Sequence, residues 1–559
     1  MSIRNLFVFL LAVGAGFQFC ADAAVTLPKM FSSHMVLQRG MNVPVWGMAA
    51  PNEKVTVEFA GQKKEATADE KGRWKLTLDP MTASAEPREL LVSSANNHQP
   101  ITINDVLVGE VWLGSGQSNM ALRSSVFIAA PFNDAVLAKN LAAGPYPQIR
   151  LKGGYLSNWE EATPENLMRF SAMAFSFGLQ LQKELNVPVG LIEGACEATP
   201  SGLFITQEAL DGDPTCQALI AKYAAANKYA PADQPFQAQY PATTYNEAVR
   251  KYQEAFKIWE KADADAKLAG AKEGPRKPIM PLKAGECKGA YWQETVGRVY
   301  DHCIRLPQFE TFAIRGILWD QGESETAVVG VDQYTLMGAL ISSWRKVWGQ
   351  GDFPFIYFQK PSGDGCAWDQ NDPVTCRSDA FKELPAVVPN DGERRENYLR
   401  IMNYPNTFMV TSSDLGGTAH PSNKSGYGVR AARVALGAVY GRDIEIYGPT
   451  YKSHKIEGNK VIISFSHIGK GLAFKNGTKL QGFALTGDVS APGPAGRTFS
   501  WADAIIDGDT VVVSSDKISK PTAVRYAWAN QHPWANLFNK DGLPALSFRV
   551  DDLLSVKTP

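Results

Sequence analysis

The 559-residue chain has almost no excess of charge of either sign. It carries 56 Lys and Arg against 57 Asp and Glu, for a net charge of −1. Proteins that bind nucleic acid usually show a basic face or stripe, because contacts to the phosphate backbone supply much of the affinity. The sequence has no such run, so we expect no nucleic-acid partner.

Long apolar runs are also missing from the body of the chain, where no stretch reaches the about 20 apolar residues of a membrane-spanning helix. Only the N-terminus is continuously apolar: Arg4 precedes an apolar run over 6–16 and small residues over 21–24. This order is typical of a secretory signal. We predict a signal peptide over residues 1–23 and a secreted or periplasmic protein without a membrane span. A lipid anchor at Cys20 is the less favoured alternative, because bulky aromatic residues precede it.

Cysteine is scarce, with seven in the chain and six once the predicted signal peptide is removed. An even number in an exported protein favours disulfide bonds. No C-x-x-C or histidine-rich spacing indicates a metal site. We predict that Cys366 and Cys376, which bracket a loop rich in Gly, Asp and Pro, form one disulfide bond.

The chain is too long for one hydrophobic core, since single cores stop growing at about 250–300 residues. Short runs of alternating apolar and polar residues predict a β-sandwich-like domain over 24–104 and a second β domain over 441–559. Between them, buried-strand runs alternate with helical patterns, which predicts an α/β domain with a parallel sheet over 105–440. Residues 205–300 are predicted to form a helical insertion, in which aromatic residues at helical spacing indicate a packing face.

A serine follows the first strand of the predicted α/β domain. The apolar run 111–113 leads into Gly114-Ser115-Gly116-Gln117-Ser118, where the glycines allow a sharp turn. Ligands bind at the carboxyl edge of open α/β sheets, so Ser118 stands where a nucleophile is expected. The segment is not the G-x-S-x-G of a nucleophile elbow, and on its own such a serine is more often a turn or capping residue.

A serine nucleophile needs a base, normally histidine, within hydrogen-bond reach. Of the seven histidines, only His302 and His420 fall in the predicted α/β region. The segment around His302 looks helical, which favours an ordinary packing role. His420 follows the strand-like run 408–410 and precedes a helical stretch, so it lies at the functional edge of the sheet and is the candidate base.

A third polar turn follows the predicted strand 314–319. Ester hydrolysis builds an oxyanion that needs preorganised donors, and the Gln321 amide and the Ser118 backbone N–H can each supply one. Glu323 has the chemistry of a general acid or base, but we assign it to orienting this turn. Asp320 and Glu323 also raise the paired-carboxylate chemistry of a glycosidase, but two acids in one turn do not flank a substrate from separate strands.

Three blocks carry a resemblance to a known family. They read Gly116-Gln117-Ser118-Asn119-Met120, Trp319-Asp320-Gln321-Gly322-Glu323-Ser324 and His420-Pro421-Ser422-Asn423-Lys424. In this order they resemble the signature blocks of the sialate O-acetylesterase family, carbohydrate esterases of the SGNH-hydrolase superfamily. Further similar stretches over 36–39, 334–348 and 521–551 extend the resemblance over nearly the whole mature chain.

The resemblance implies an SGNH-hydrolase-like, three-layer α/β core with a parallel sheet, flanked by β-rich, sandwich-like regions. It also implies a Ser118 nucleophile, a His420 base and Gln321 in the oxyanion hole, with Asn119 and Glu323 beside them, and no metal or organic cofactor. The expected activity is the hydrolysis of O-acetyl esters on sugars through an acetyl-enzyme. The acetylated sugar (sialic acid, xylan or another glycan) and the oligomeric state stay open.

Two departures from the family pattern affect the site. Where the family has a glycine that assists the oxyanion, this chain reads Cys196-Glu197-Ala198-Thr199, so Ala198 is the candidate donor if its backbone does not require glycine. The family's acid lies two or three residues before the histidine, at Gly417 or Thr418 in this chain. Asp414 is the only carboxylate nearby and is the candidate triad acid.

These departures keep a second hypothesis open, a catalytically weakened or inactive carbohydrate-binding protein on an esterase scaffold. The joint presence of Ser118, Gln321 and His420 favours the esterase. A glycosidase, the third hypothesis, would keep its activity in Ser118→Ala and lose it in Glu323→Gln.

Overall fold

The structure is a computed structural model that describes residues 24–94, 99–227, 229, 242, 244–271, 273–288, 293–487 and 497–553. The predicted signal peptide lies outside the described residues. The strands are β1 (Val36–Gln38), β2 (Val43–Met48), β3 (Lys54–Phe59), β4 (Gln62–Thr67), β5 (Arg73–Leu78), β6 (Ser84–Ser94), β7 (Ile101–Gly116), β8 (Tyr146–Gly153), β9 (Leu156–Ala162), β10 (Val189–Ala195), β11 (Cys287–Lys288), β12 (Gln293–Glu294), β13 (Gly316–Asp320), β14 (Phe355–Phe358), β15 (Thr407–Val410), β16 (Thr450–Glu457), β17 (Lys460–Ser466), β18 (Leu472–Phe474), β19 (Phe483–Thr486), β20 (Ser500–Trp501), β21 (Asp503–Asp507), β22 (Thr510–Ser514), β23 (Ala523–Tyr526), β24 (Leu537–Asn539) and β25 (Phe548–Val550). The helices are α1 (Ser118–Ala121), α2 (Ser124–Ile128), α3 (Ala135–Ala142), α4 (Pro164–Met168), α5 (Ala172–Leu185), α6 (Gln207–Gly212), α7 (Pro214–Ala225), α8 (Tyr245–Leu268), α9 (Arg298–Tyr300), α10 (Gln333–Trp348), α11 (Glu393–Ile401) and α12 (Lys424–Ala438).

A large mixed sheet occupies the middle of the chain. Its main strands lie in the order β15-β14-β13-β7-β10-β8-β9. Neighbouring strands are parallel except in the β8–β9 hairpin. β7 is buried without interruption over 106–116, as expected for a parallel strand covered on both faces. The predicted α/β class is confirmed, whereas the antiparallel hairpin at the edge has no counterpart in the sequence prediction.

Helices cover both faces of this sheet. Successive residues of a strand point to opposite faces, and β13 shows this clearly. Leu318 packs in the apolar cluster that includes residues of α5 and α12, whereas Ile317 and Trp319 pack in the cluster that includes residues of α10. The centre therefore has three layers, with the sheet between two layers of helices. Each large apolar side chain that is fully buried between these layers contributes about 1.5–3 kcal/mol to the free energy of folding.

The N-terminal strands are continuous with the central sheet. β3 pairs with β4 and β6, and β6 pairs with β7, while β1 runs parallel to β7. β7 therefore passes through the predicted domain boundary at residue 104 without a break. A single long strand thus belongs to both the N-terminal β region and the α/β core.

The C-terminal region contains two four-stranded antiparallel sheets, ordered β16-β17-β22-β21 and β20-β19-β23-β25. Alternate residues of both sheets enter one apolar cluster, for example Val461 and Val511 from the first sheet and Phe483 and Val524 from the second. A shared core between two sheets is the arrangement of a β-sandwich, in line with the alternating pattern of the sequence.

The aromatic stripe of the insertion lies on α8 and packs on the segment that follows. The ring of Phe256 lies 5.3 Å from that of Trp259, and the Trp259 indole N–H donates to the carbonyl oxygen of Pro275 (2.7 Å). The stripe is therefore a packing face, as predicted. Among the helices that the structure describes, none has both the length and the apolar character needed to cross a bilayer.

The predicted disulfide bond between Cys366 and Cys376 is wrong in this structure. Cys366 and Cys376 are both free thiols. Cys366 is buried with its Sγ 3.3 Å from the carbonyl oxygen of Ala535, whereas Cys376 is exposed and directs its Sγ to Pro373. The loop between them carries one thiol into the interior and leaves the other at the surface.

Candidate active site

Ser118 stands where β7 passes into α1. Gly116, the last residue of the strand, has φ +117° and lies so close to β13 that a Cβ atom would be 2.1 Å from the carbonyl oxygen of Asp320. Only glycine fits this position. The N–H of Gln117 donates to the same carbonyl (2.8 Å) and fixes the turn. The turn leaves Ser118, 6% exposed, at the carboxyl end of the parallel sheet, where ligands bind in such folds.

His420 lies beside this serine. Its Nε2 is 2.9 Å from Ser118 Oγ, and it reaches this position from the loop that follows β15. Burial lowers the pKa of His420 below its usual value, and the positive charge of Lys424 lowers that pKa further. The neutral imidazole is therefore favoured at neutral pH, and only this form can accept the serine proton.

The side chain of Asn119 connects the elements around the serine. Its amide nitrogen donates to the Glu323 carboxylate (2.9 Å) and to the carbonyl oxygen of Ala419 (3.0 Å). Its amide oxygen accepts a hydrogen bond from the Lys424 ammonium (2.7 Å). One side chain next to the candidate nucleophile thus binds the turn after β13, the loop that carries the histidine and the start of α12.

A buried lysine holds the two carboxylates of the turn after β13. The Nζ atom of Lys360 lies 2.7 Å from Asp320 and 2.5 Å from Glu323. Burial acts to raise the pKa of Glu323, but the Lys360 charge and hydrogen bond outweigh it and leave that pKa lowered. Glu323 is therefore an ionised side chain that orients Asn119. Because both acids face one ammonium, they do not flank an open space as glycosidase carboxylates do.

Asp414, the candidate triad acid, pairs with an arginine of α12. It is fully buried, and its two oxygens accept hydrogen bonds from the Arg430 guanidinium at 3.0 and 2.8 Å. Among the hydrogen bonds of the described residues, none joins it to His420. The structure does not bring Asp414 and His420 together, because the bidentate pair with Arg430 engages both carboxylate oxygens.

The side-chain amide of Gln321, which is predicted to lie in the oxyanion hole, donates its hydrogen bonds to backbone carbonyl oxygens of the protein. The side chain is fully buried, and its nitrogen donates to the carbonyl oxygens of Glu325 (2.9 Å) and Thr199 (3.4 Å). Both N–H bonds of the amide therefore have acceptors in the protein. In this geometry Gln321 ties the turn after β13 to the loop after β10, and does not present a free donor.

Ala198 meets the requirement for a free donor. The N–H of Cys196 donates to the carbonyl oxygen of Gly116 (2.9 Å), which places the loop after β10 beside the serine turn. Ala198 is exposed and has φ +56°, in the left-handed region that favours glycine. Within the described part of the chain, its N–H has no hydrogen-bond acceptor. The residue thus adopts a backbone conformation that glycine takes more easily.

Three charged residues of the site were not assigned a role from the sequence: Lys360, Lys424 and Arg430. Lys360 comes two residues after β14, so the rule that points to polar residues at the carboxyl ends of parallel strands also finds it. Lys424 lies inside the third sequence block. Arg430 lies on α12, and nothing in its spacing identifies Asp414 as its partner.

One group of described residues has ligand atoms close enough to hold a metal ion, namely His34, Asp105 and Glu161. Arg150 already lies 2.8 Å from Asp105 and 3.4 Å from Glu161. A guanidinium therefore supplies the positive charge at this cluster. Asp105 lies near the start of β7, at the end of the strand away from Ser118, and we assign the cluster no part in the site.

Comparison with known proteins places this geometry in context. Sialate O-acetylesterase of Rattus norvegicus is 23% identical over 92% of this chain and 90% of its own length. The enzyme of the same name from Homo sapiens is 22% identical over 92% of this chain and 88% of its own. A crystal structure of a carbohydrate acetylesterase from Xanthomonas citri matches with a TM-score of 0.66 and 25% identity, and covers 94% of this chain and 100% of that chain. No family model matches the chain. The chain is thus similar to carbohydrate esterases over nearly its whole length, and the resemblance to sialate O-acetylesterases carried by its three sequence blocks is confirmed.

Proposed function

We propose that the protein is a carbohydrate esterase that removes acetyl groups from O-acetylated sugars, with Ser118 as the nucleophile. The observation that carries the proposal is the 2.9 Å contact between His420 Nε2 and Ser118 Oγ at the carboxyl end of the sheet. A serine beside a neutral histidine is the arrangement required for acyl transfer through a covalent intermediate. The similarity to a sialate O-acetylesterase and to a carbohydrate acetylesterase supports acetylated sugars as the substrate class.

In the first half of the reaction, Ser118 Oγ bonds to the acetyl carbonyl carbon while His420 Nε2 takes the hydroxyl proton. The carbonyl oxygen becomes an oxyanion and accepts hydrogen bonds from the N–H groups of Ser118 and Ala198. Ser118 begins a helix, where backbone N–H groups lack helical acceptors. Each such donor contributes about 2.7–4 kcal/mol to transition-state stabilisation. The bond to the sugar oxygen then breaks, and that oxygen leaves with the proton held by His420.

In the second half, water attacks the carbonyl carbon of acetyl-Ser118 while His420 Nε2 takes a proton from it. The same two N–H groups stabilise the new oxyanion. The bond to Ser118 Oγ breaks, Oγ regains the proton from the imidazole, and acetate leaves. The cycle returns every group to its starting state and consumes one water molecule.

We also propose that the protein is exported, with residues 1–23 as a cleavable signal, and acts on acetylated glycans outside the cytoplasm, for example during polysaccharide degradation. The organisation into 24–104, 105–440 and 441–559 is part of the same proposal. N-terminal sequencing of the exported protein tests the signal, and a mature chain that still carries residues 1–23 contradicts it.

One observation favours a second candidate, a protein that binds acetylated sugars with little or no turnover. In the described part of the chain, no carboxylate is hydrogen-bonded to His420. Loss of the orienting acid lowers kcat by about 10⁴ in a Ser-His-Asp enzyme. The esterase is preferred because Ser118 and His420 are already in contact without that acid.

Release of acetate from a panel of acetylated sugars, including O-acetylated sialic acid and acetylated xylan, tests the two candidates. We expect turnover by the mature wild type and its near-complete loss in Ser118→Ala. Ser124→Ala is the matched control, since Ser124 is a buried serine nearby whose hydroxyl donates to the Phe170 carbonyl. Full activity in Ser118→Ala contradicts the serine mechanism. Binding of acetylated sugars without turnover by the wild type supports the second candidate.

A further inference from the structure

Among the residues that the structure describes, no carboxylate is hydrogen-bonded to His420. The His420 ring contacts Ser118. The nearby carboxylate of Asp414 forms an ion pair with Arg430 instead. The residue before the histidine, Ala419, accepts a hydrogen bond from the Asn119 amide at its carbonyl oxygen (3.0 Å). The backbone next to the base is therefore tied to the residue that follows the nucleophile.

The Asn119 amide is bonded at both ends, and Lys424 binds its oxygen. The nitrogen and oxygen ends of an asparagine amide can exchange places by rotation. An ammonium only donates, so the Lys424 Nζ atom, 2.7 Å from Oδ1, requires the amide oxygen on its side. The amide nitrogen then faces two acceptors, the Ala419 carbonyl and the Glu323 carboxylate. If the amide were reversed, its oxygen would face the carbonyl oxygen of Ala419 and the carboxylate oxygen of Glu323, and neither contact could be a hydrogen bond.

Lys424 occupies an unfavourable environment for a charged group. It is fully buried, and no ion pair joins it to a carboxylate of the described residues. The rings of Phe127 and Tyr427 lie 4.5 and 5.7 Å from its Nζ atom. Burial lowers the pKa of Lys424 to about 7. A buried ammonium without a paired carboxylate destabilises a fold, so the lysine at this place indicates a role other than stability.

We infer that Lys424 is a positioning residue for the base: through Asn119 it holds the segment of Ala419 and His420 against Ser118. The inference rests on the proposed function, because it concerns the geometry of the reacting pair. In Lys424→Met a side chain of similar length fills the space but cannot donate, so the Asn119 amide loses the hydrogen bond at its oxygen and stays bonded only through its nitrogen. A misplacement of about 1 Å lowers the rate about 10²-fold. We therefore expect kcat to fall by about that factor while KM stays nearly unchanged.

The pH profile separates this role from a general loss of structure. Besides burial, Lys424 and Lys360 lower the pKa of His420, while Glu323 and Glu197 raise it. Without the Lys424 charge the pKa of His420 rises, so the acid limb of kcat/KM moves to higher pH in Lys424→Met. Asn119→Ala breaks the same link but keeps the charge. We expect a similar fall in kcat for that variant and an acid limb close to that of wild type.

The experiment measures kcat, KM and the pH profile on p-nitrophenyl acetate for wild type, Lys424→Met, Asn119→Ala and the double variant. The double variant is expected to be no slower than the slower single one, since both changes break one chain of contacts. Lys152→Met is the matched control. Lys152 is also buried, but its Nζ donates to the backbone carbonyls of Lys29 and Ser157, and its loss is expected to leave kcat unchanged.

A wild-type kcat in Lys424→Met or in Asn119→Ala overturns the inference, and so do losses that multiply in the double variant. If Lys424→Met does not fold, Asn119→Ala decides alone, because it keeps the lysine. A wild type without Ser118-dependent turnover overturns the proposed function and the positioning role together. An active wild type with fully active variants overturns the positioning role only.

Discussion

The Nε2 atom of His420 lies 2.9 Å from the Oγ atom of Ser118, although 302 residues separate them in the chain. The contact forms because parallel strands end at one edge of the sheet, where β7 leads to the serine and β15 leads to the histidine. The turn after β13 lies between them and reaches both through Asn119. This arrangement brings the proposed nucleophile and the proposed base together, while no carboxylate of the described residues is hydrogen-bonded to His420, and its consequences can be measured.

Activity is predicted to persist at lower pH than an ordinary histidine base allows. Burial lowers the pKa of His420 from 6.5, and Lys424 lowers it further. Because the neutral ring is the base, kcat/KM should fall only as pH drops through a value below 6.5. Glu197→Gln serves as the comparison, since that carboxylate raises the pKa of His420, and its removal should move the acid limb lower still. An acid limb above 6.5 in the wild type contradicts the prediction.

Asp414→Asn is predicted to weaken folding more than catalysis. The substitution leaves the buried Arg430 guanidinium without its carboxylate, and breaking such a pair costs about 3–5 kcal/mol in the free energy of unfolding. Urea denaturation measures this loss, and kcat per titrated active site measures the catalytic effect. The double variant Asp414→Leu/Arg430→Met, which removes both charges, should lose less stability. A loss of about 10⁴ in kcat with normal stability would instead identify Asp414 as a triad acid.

Ala198→Gly is predicted to keep full activity and to raise stability slightly. Ala198 has φ +56°, which costs a residue with a side chain about 1–2 kcal/mol. Glycine removes that strain but loses about 0.5–1 kcal/mol through its greater freedom in the unfolded chain. Thermal unfolding and kcat test the balance, with Ala60→Gly as the control, because Ala60 has φ +50° in the turn between β3 and β4. A fall in kcat for Ala198→Gly alone would show that the alanine methyl group is needed.

Gly116→Ala is predicted to disrupt the serine turn. The added Cβ atom would lie 2.1 Å from the backbone oxygen of Asp320, at φ +117°. Overpacking of about 1–3 kcal/mol and backbone strain of about 1–2 kcal/mol should appear in urea denaturation, together with a loss of kcat. Gly61→Ala separates the two effects, because Gly61 also has positive φ but open space around it. Equal losses in both variants would rule out the close contact as the cause.

Local sequence patterns were sufficient for the features that depend on strand order and periodicity. Apolar runs identified β7, β13, β14 and β15, and the rule that function gathers at their carboxyl ends placed Ser118 and His420 together. The same rule does not identify side-chain partners. Asp414 is close to His420 in sequence, yet its carboxylate accepts two hydrogen bonds from the guanidinium of Arg430 in the next helix.

The remaining differences between the sequence-based predictions and the structure come from tertiary contacts, which local sequence patterns do not reveal. Gln321 is a donor of suitable chemistry, but its direction is decided by the carbonyl oxygens of Thr199 and Glu325. The link from Lys424 to Asn119 joins residues 305 positions apart. The left-handed backbone of Ala198 follows from the path of its loop rather than from its own preference.

Trapping of the acetyl-enzyme tests the central claim most directly. Wild type and Ser118→Ala are mixed with an acetyl ester, quenched with acid within the first turnover and digested for mass spectrometry. The predicted result is one acetyl group on Ser118 in the wild type, chased by further incubation and absent from the variant. Turnover by the wild type with no acetyl group on Ser118, or with the acetyl group on another residue that turns over at the same rate in Ser118→Ala, would contradict the claim.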